Sequence, residues 1–128
     1  MPFIDDLIAF SAQPAADLPT SAVQLAKFSL LDWLVCGRAG VEEPVAQKLR
    51  VFGANEGGVQ TASTFGGPKM PPRMAALING AVSHALDYDD THFSHIGHLS
   101  VGIYPAVLAA AEDVGATVSD LLAAFVIG

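Results

Sequence analysis

Apolar residues recur at helical spacing along nearly the whole of this chain, in runs cut short by glycine and proline. That property argues against a sheet-built fold, because half-buried strands alternate with a period of two. Phe3, Ile4, Leu7, Ile8 and Phe10 share one helical face, and the two prolines of "QPAADLPTS" end that run. A second helix is expected from Thr20 or Ser21, either of which suits an N-cap. Its apolar positions, Val23, Leu25, Ala26, Leu30, Leu31, Leu34 and Val35, spread widely enough for a largely buried helix. Gly37 and Gly40 fall near its end, and Arg38 is placed to favour a helix C-terminus.

Four more helices follow. A third runs from Pro44 to Phe52 before Gly53, and a fourth starts after Pro72. Met74, Leu77, Ile78, Ala81, Val82 and Ala85 form the apolar face of the fourth. A fifth spans Val101 to Val114 and stops at Gly115; a sixth starts after Thr117, which sets a capping-box pattern with Asp120. Only "GGVQTASTFGGPKMPP" departs from this rhythm. Its β-branched, polar centre between glycine pairs predicts a short strand or hairpin at residues 59–65. The fold class expected is therefore mainly α, with one short strand or hairpin near residues 59–65.

Hydrophobic residues make up 52% of the chain and charged residues 15%, which supplies a core and excludes disorder. So apolar a chain is expected to have some surface covered by a partner subunit or by further chain. The pattern of "SDLLAAFVIG" is still apolar at Gly128, so a larger architecture is expected, of which residues 1–128 are an N-terminal portion. The net charge of −7, with Lys27, Arg38, Lys48, Arg50, Lys69 and Arg73 scattered, leaves no basic patch for nucleic acid or an anionic membrane. No apolar run reaches the ~20 residues of a membrane span. The N-terminus carries acids where a signal peptide needs positive charge, so a cytoplasmic setting is expected. Cys36 is the one cysteine and reads as a small buried hydrophobe.

Against this background the stretch "HALDYDDTHFSHIGH", residues 84–98, stands out. It holds all four histidines together with Asp87, Asp89 and Asp90. Turn and capping needs explain any one such residue in a helix–helix loop, Ser100 as a cap included. They explain the whole set less well. His92, His95 and His98, with Asp89 and Asp90, allow a zinc or iron site and hence a metal-dependent hydrolase. Ile96 and Gly97 argue against one helix carrying all three histidines, and no metal or other cofactor is expected. General acid–base chemistry without a metal suits the same residues better. A histidine moves a proton near neutral pH, and a neighbouring carboxylate orients it. Asp87, Thr91 and His98 provide those groups within twelve residues. A helical module that only binds a partner is the rival from another class.

The segment "AALINGAVSHALDYDDTHFSHIGHLSVGIYPAVLAAAED" resembles the most recognisable part of the MmgE/PrpD family. "AKFSLLDWLVCGRAG" and "STFGG" extend the likeness over nearly the whole chain. That family includes 2-methylcitrate dehydratases, cis-aconitate decarboxylases and an iminodisuccinate epimerase. The resemblance implies a longer chain, with a large helical domain, a smaller lid domain and a site between them. It also implies a homodimer, a di- or tricarboxylic acid substrate, and a lyase or isomerase reaction that needs no metal. By resemblance, Asp87 is a site residue and Thr91 touches substrate. The motif's later histidine, a proton carrier, is His98 with one residue inserted before it, or His95, which otherwise contacts substrate. The resemblance also implies further site lysines and a histidine from later in the chain, at positions outside residues 1–128, which would form the N-terminal part of the family's all-helical domain.

Overall fold

The computed structural model describes residues 2–128 and is almost entirely helical. Its elements are α1 (Pro2–Ser11), a single 3-10 turn at Ala15–Asp17, α2 (Thr20–Ala39), a second 3-10 turn at Gly40–Glu42, α3 (Pro44–Gly53), α4 (Pro72–Ser83), α5 (Ser100–Val114) and α6 (Val118–Ile127). The helices fall where the periodicity places them. Helix α3 starts on its proline, and Gly115 ends α5 in the left-handed conformation that a β-carbon disfavours. The capping box is present: Asp120 N donates to Thr117 Oγ1, and Thr117 N donates to Asp120 Oδ2 at 2.9 Å.

Two start signals differ from expectation. Neither Thr20 nor Ser21 caps α2; Pro19 holds the N-cap position and makes no side-chain bond, and Thr20 is already helical. Ser100 does not cap α5 either. It lies in the first turn and receives its partner from Asp90, ten residues earlier.

Helices α4 and α5 pack most extensively, and α2, α3 and α6 gather around them. One core cluster joins Ala46, Met74, Ile78, Val82 and Ala109. A second centres on Trp33, which is fully buried, lies against Tyr104 at 5.6 Å between ring centroids, and meets the edge of Phe65 at 5.1 Å. Tyr104 in turn stacks on Phe125, and its hydroxyl donates to Ala26 O. Removing such a ring typically costs ~3–5 kcal/mol.

The strand expected at residues 59–65 is reduced to one antiparallel bridge, Ala62 with Met70. The reason lies in who takes the backbone groups. Ser63 N donates to the Glu112 carboxylate, Phe65 N donates to Asn79 Oδ1 at 2.9 Å, and Ser63 O accepts from Asn79 Nδ2 at 2.8 Å. Side chains of α4 and α5 thus satisfy a segment that would otherwise need a neighbouring strand. Asn79 is buried for this purpose, and Leu77 of the same helix is half exposed rather than part of the packed face.

Helix α2 is not largely buried. Ala26, Trp33, Cys36 and Gly37 face the core, whereas Leu25, Phe28, Leu31 and Val35 face outward, all more than half exposed. The apolar residues of α1 are exposed as well. Close approach fixes the inner face: a β-carbon on Gly40 would sit 2.0 Å from the backbone oxygen of Val82. Helix α2 therefore crosses the end of α4, immediately below the histidine-rich loop. No described helix is long and apolar enough to cross a membrane.

Candidate functional site

The loop between α4 and α5 begins at His84, the C-cap of α4, whose backbone N still donates to Gly80 O. Asp87 follows with φ 54°, a left-handed conformation unusual for a residue with a side chain. Its N–H donates to His84 O at 3.0 Å, and this tight turn keeps His84 and Asp87 on one side. The chain then dives inward. The Asp89 side chain is fully buried.

Asp90 ties the loop to two helices. Its backbone N donates to Asp32 Oδ2 on α2 at 3.1 Å. Its carboxylate accepts from Ser100 N at 3.1 Å and Ser100 Oγ at 2.6 Å, which serves buried donors at the start of α5 that the helix itself leaves unpaired. Cys36 lies behind this junction, 3.9 Å from Asp32, and burial with the nearby Asp32 carboxylate raises its thiol pKa to about 11. It is a buried thiol, as its apolar surroundings predict, and it is protonated at neutral pH. Burial, then Asp90, likewise raises the Tyr104 phenol.

Asp89 organises both histidines above it. His84 Nδ1 lies 2.9 Å from Asp89 Oδ1, and His98 Nδ1 lies 3.0 Å from Asp89 O. A carbonyl oxygen can only accept, so His98 Nδ1 carries the proton and donates it. The remaining nitrogens face Asp87: His84 Nε2 is 3.8 Å and His98 Nε2 3.5 Å from Asp87 Oδ1. The two imidazole rings meet edge to face with centroids 4.9 Å apart. The His98 pKa is raised above 6.5, first by the hydrogen bond to Asp89 O, with desolvation opposing and the Asp89 and Asp87 carboxylates adding to it. Asp89 Oδ2 is buried and accepts no hydrogen bond from the described residues.

Of the expected site residues, Asp87, Thr91 and His98 come together. Thr91 Oγ1 donates to the same Asp89 carbonyl at 3.4 Å that His98 uses. His95 does not join them. It sits in the exposed tip, where its backbone N donates to His92 Nδ1 at 3.2 Å. The tip, residues 92–97, is a turn closed by the His92–Gly97 bridge, with Phe93 and Ile96 almost fully exposed. The His92, His95 and His98 set considered for a metal is thus split between tip and root. From the sequence His84 had no assigned role, and Asp89 was named only with Asp90 beside the His92, His95 and His98 metal set. The three-residue spacing of His84 and Asp87 at a helix end was the available signal; nothing local marks Asp89 as the buried acid.

Fold and cluster together define a helical protein that presents two histidines and two aspartates where one helix ends and the next begins. The chain belongs to the MmgE/PrpD family: the model of the MmgE/PrpD N-terminal domain matches residues 9–128. It is similar to cis-aconitate decarboxylase of Aspergillus terreus, 30% identical over 127 residues, covering 88% of this chain and 24% of the relative. It is also similar to cis-aconitate decarboxylase of Homo sapiens, 30% identical over 121 residues, with 87% and 24% covered. The chain therefore spans about a quarter of the length of these curated relatives.

Proposed function

We propose that residues 1–128 form the N-terminal portion of the helical domain of a metal-independent lyase or isomerase. Its substrate is a di- or tricarboxylic acid, and its reaction moves a proton next to a carboxylate. The observation that carries this reading is the orientation of His98, its Nδ1–H held by Asp89 O and its Nε2 left facing Asp87. A histidine held in one tautomer with its second nitrogen open is prepared to give or take a proton. The similarity to cis-aconitate decarboxylases favours decarboxylation over dehydration or epimerisation. In that reaction a carbon–carbon bond to a carboxylate breaks, carbon dioxide leaves, and the electron pair stays on the substrate carbon. His98 supplies the proton that ends on carbon. Asp87 stabilises the imidazolium before transfer, and Thr91 helps to hold a remaining carboxylate. Cationic groups outside this segment complete that hold. A homodimer in the cytoplasm with no cofactor completes the proposal.

The test is turnover of the protein at the length of its relatives. His98→Ala is expected to lower it by about 10²–10⁴-fold; near-normal turnover removes His98 from the role. The pH dependence follows from the raised pKa. The protonated form of His98 persists above pH 6.5, so donation is retained there and falls as pH rises through the raised value. The same sign applies to stability: the favourable contacts of the cation are fully present below about 6.5 and are lost as pH passes the folded-state pKa.

The outward apolar faces of α1 and α2 favour a second reading, a helical interaction module without catalysis. A protein of full relative length that turns over no carboxylic acid would favour it.

A further inference from the structure

We propose that His84, His98 and Asp87 form a capture site for a divalent transition-metal ion such as zinc, and that capture switches the acid–base site off. The regulatory half rests on the reading of His98 given above. The metal would be an inhibitor of the reaction, not a participant in it.

The geometry has three parts. First, the two Nε2 atoms converge on one carboxylate oxygen, Asp87 Oδ1, at 3.8 and 3.5 Å. Ligand atoms around a tetrahedral zinc, with bonds of about 2.0–2.1 Å, stand roughly 3.3 Å apart. The two gaps to Asp87 Oδ1 close with shifts of a few tenths of an ångström, and the donor atoms of the cluster lie within 4.8 Å of one another, so the remaining movement falls to His84 and Asp87, both substantially exposed. Three protein ligands also leave a fourth position open to solvent. Second, both imidazoles are already oriented as metal ligands usually are. His84 Nδ1 is bound to Asp89 Oδ1 and His98 Nδ1 donates to Asp89 O, so the lone pairs are directed from Nε2. Third, the charge is unbalanced. The ion-pair contacts of Asp87 and Asp89 among the described residues are all to these two histidines. Asp89 is fully buried, and its Oδ2 has no donor among the described residues. A buried carboxylate with an open oxygen beneath two imidazoles favours added positive charge at the cluster.

These residues also fit a metal where the tip histidines do not. His84, Asp87, Asp89 and His98 each place one donor atom within 4.8 Å of the others. A metal on His98 Nε2 occupies the lone pair that proton transfer requires, so binding and turnover exclude each other.

The direct test is a titration of the chelator-treated protein with Co²⁺, read by its visible d–d absorption, followed by displacement with Zn²⁺. The expected result is a band that saturates at one equivalent. His84→Ala and Asp87→Asn should each weaken binding by at least about 10–100-fold, the range known for less direct, outer-shell changes, whereas His95→Ala should leave the band intact. Asp87→Asn is exposed and near-isosteric, so it keeps the test valid should His84→Ala disturb the fold; Trp33 fluorescence reports that disturbance. Zn²⁺ should then suppress turnover, and chelator should restore it. Absence of the band, its survival in both variants, or its loss in His95→Ala overturns the site. A band without loss of turnover overturns the switch. Turnover abolished by chelator contradicts both the switch and the metal-independent function. The cobalt band needs no substrate, so it decides the site even if no carboxylic acid is turned over.

Discussion

The root and the tip of the loop between α4 and α5 each carry two of the chain's four histidines, in opposite physical situations. The root holds His84, Asp87, Asp89, Asp90, Thr91 and His98, bound to one another and to α2 and α5. The tip, residues 92–97, holds two more histidines, whose hydrogen bonds among the described residues stay within the turn, and exposes Phe93 and Ile96. A histidine becomes useful chemistry when something fixes its tautomer and direction; the tip does this for His92 alone, through the His95 N–H in an exposed turn, whereas the root fixes two rings side by side over a buried acid. The buried Asp89 is that fixing element, because one carboxylate oxygen and one carbonyl of the same residue hold two rings at once.

The contrast is broken most strongly at Asp90. Asp90→Ala removes the partner of Ser100 N and Ser100 Oγ and loosens the start of α5. A loss of about 2 kcal/mol is expected, measured by denaturant unfolding, because a cap and a buried hydroxyl partner go together. Turnover should fall as well, since the root loses its anchor. A smaller effect of opposite sign is expected at the tip. Ile96 adopts φ 58°, which a β-branched residue rarely does. Ile96→Gly should therefore stabilise the protein, by up to about 1 kcal/mol, and leave the root unchanged. A destabilised Ile96→Gly variant would mean that the tip is held by contacts beyond its own turn. The smallest effect is expected at His95. His95→Ala should change stability by less than about 0.5 kcal/mol, as exposed substitutions usually do.

The helices were legible because their signals are local. Thr117 and Asp120 stand three apart and cap α6, and Pro44 starts α3 as its fixed φ suggests. Asp87, Thr91 and His98 were legible as a set because one short loop carries them. What the sequence did not reveal depends on contacts between distant segments. The 59–65 stretch has strand-like residues, yet Asn79 and Glu112 take its backbone groups. Helix α2 has apolar residues on both sides, and periodicity alone does not tell which side meets Trp33's neighbours. Asp89 and Asp90 are adjacent and chemically identical, yet one orients two histidines and the other caps a helix. The reversal of direction after Asp87 separates their roles, and only the folded chain shows it. The chain covers 24% of the length of the cis-aconitate decarboxylases it matches.

The most direct measurement compares His98→Ala with His95→Ala in the protein at the length of its relatives, assayed with cis-aconitate and related polycarboxylates. The account predicts turnover reduced by about 10²–10⁴-fold in the first variant and within about threefold of the parent in the second, as expected for an exposed position away from the chemistry. Equal turnover in the two variants, or the larger loss in His95→Ala, would contradict it.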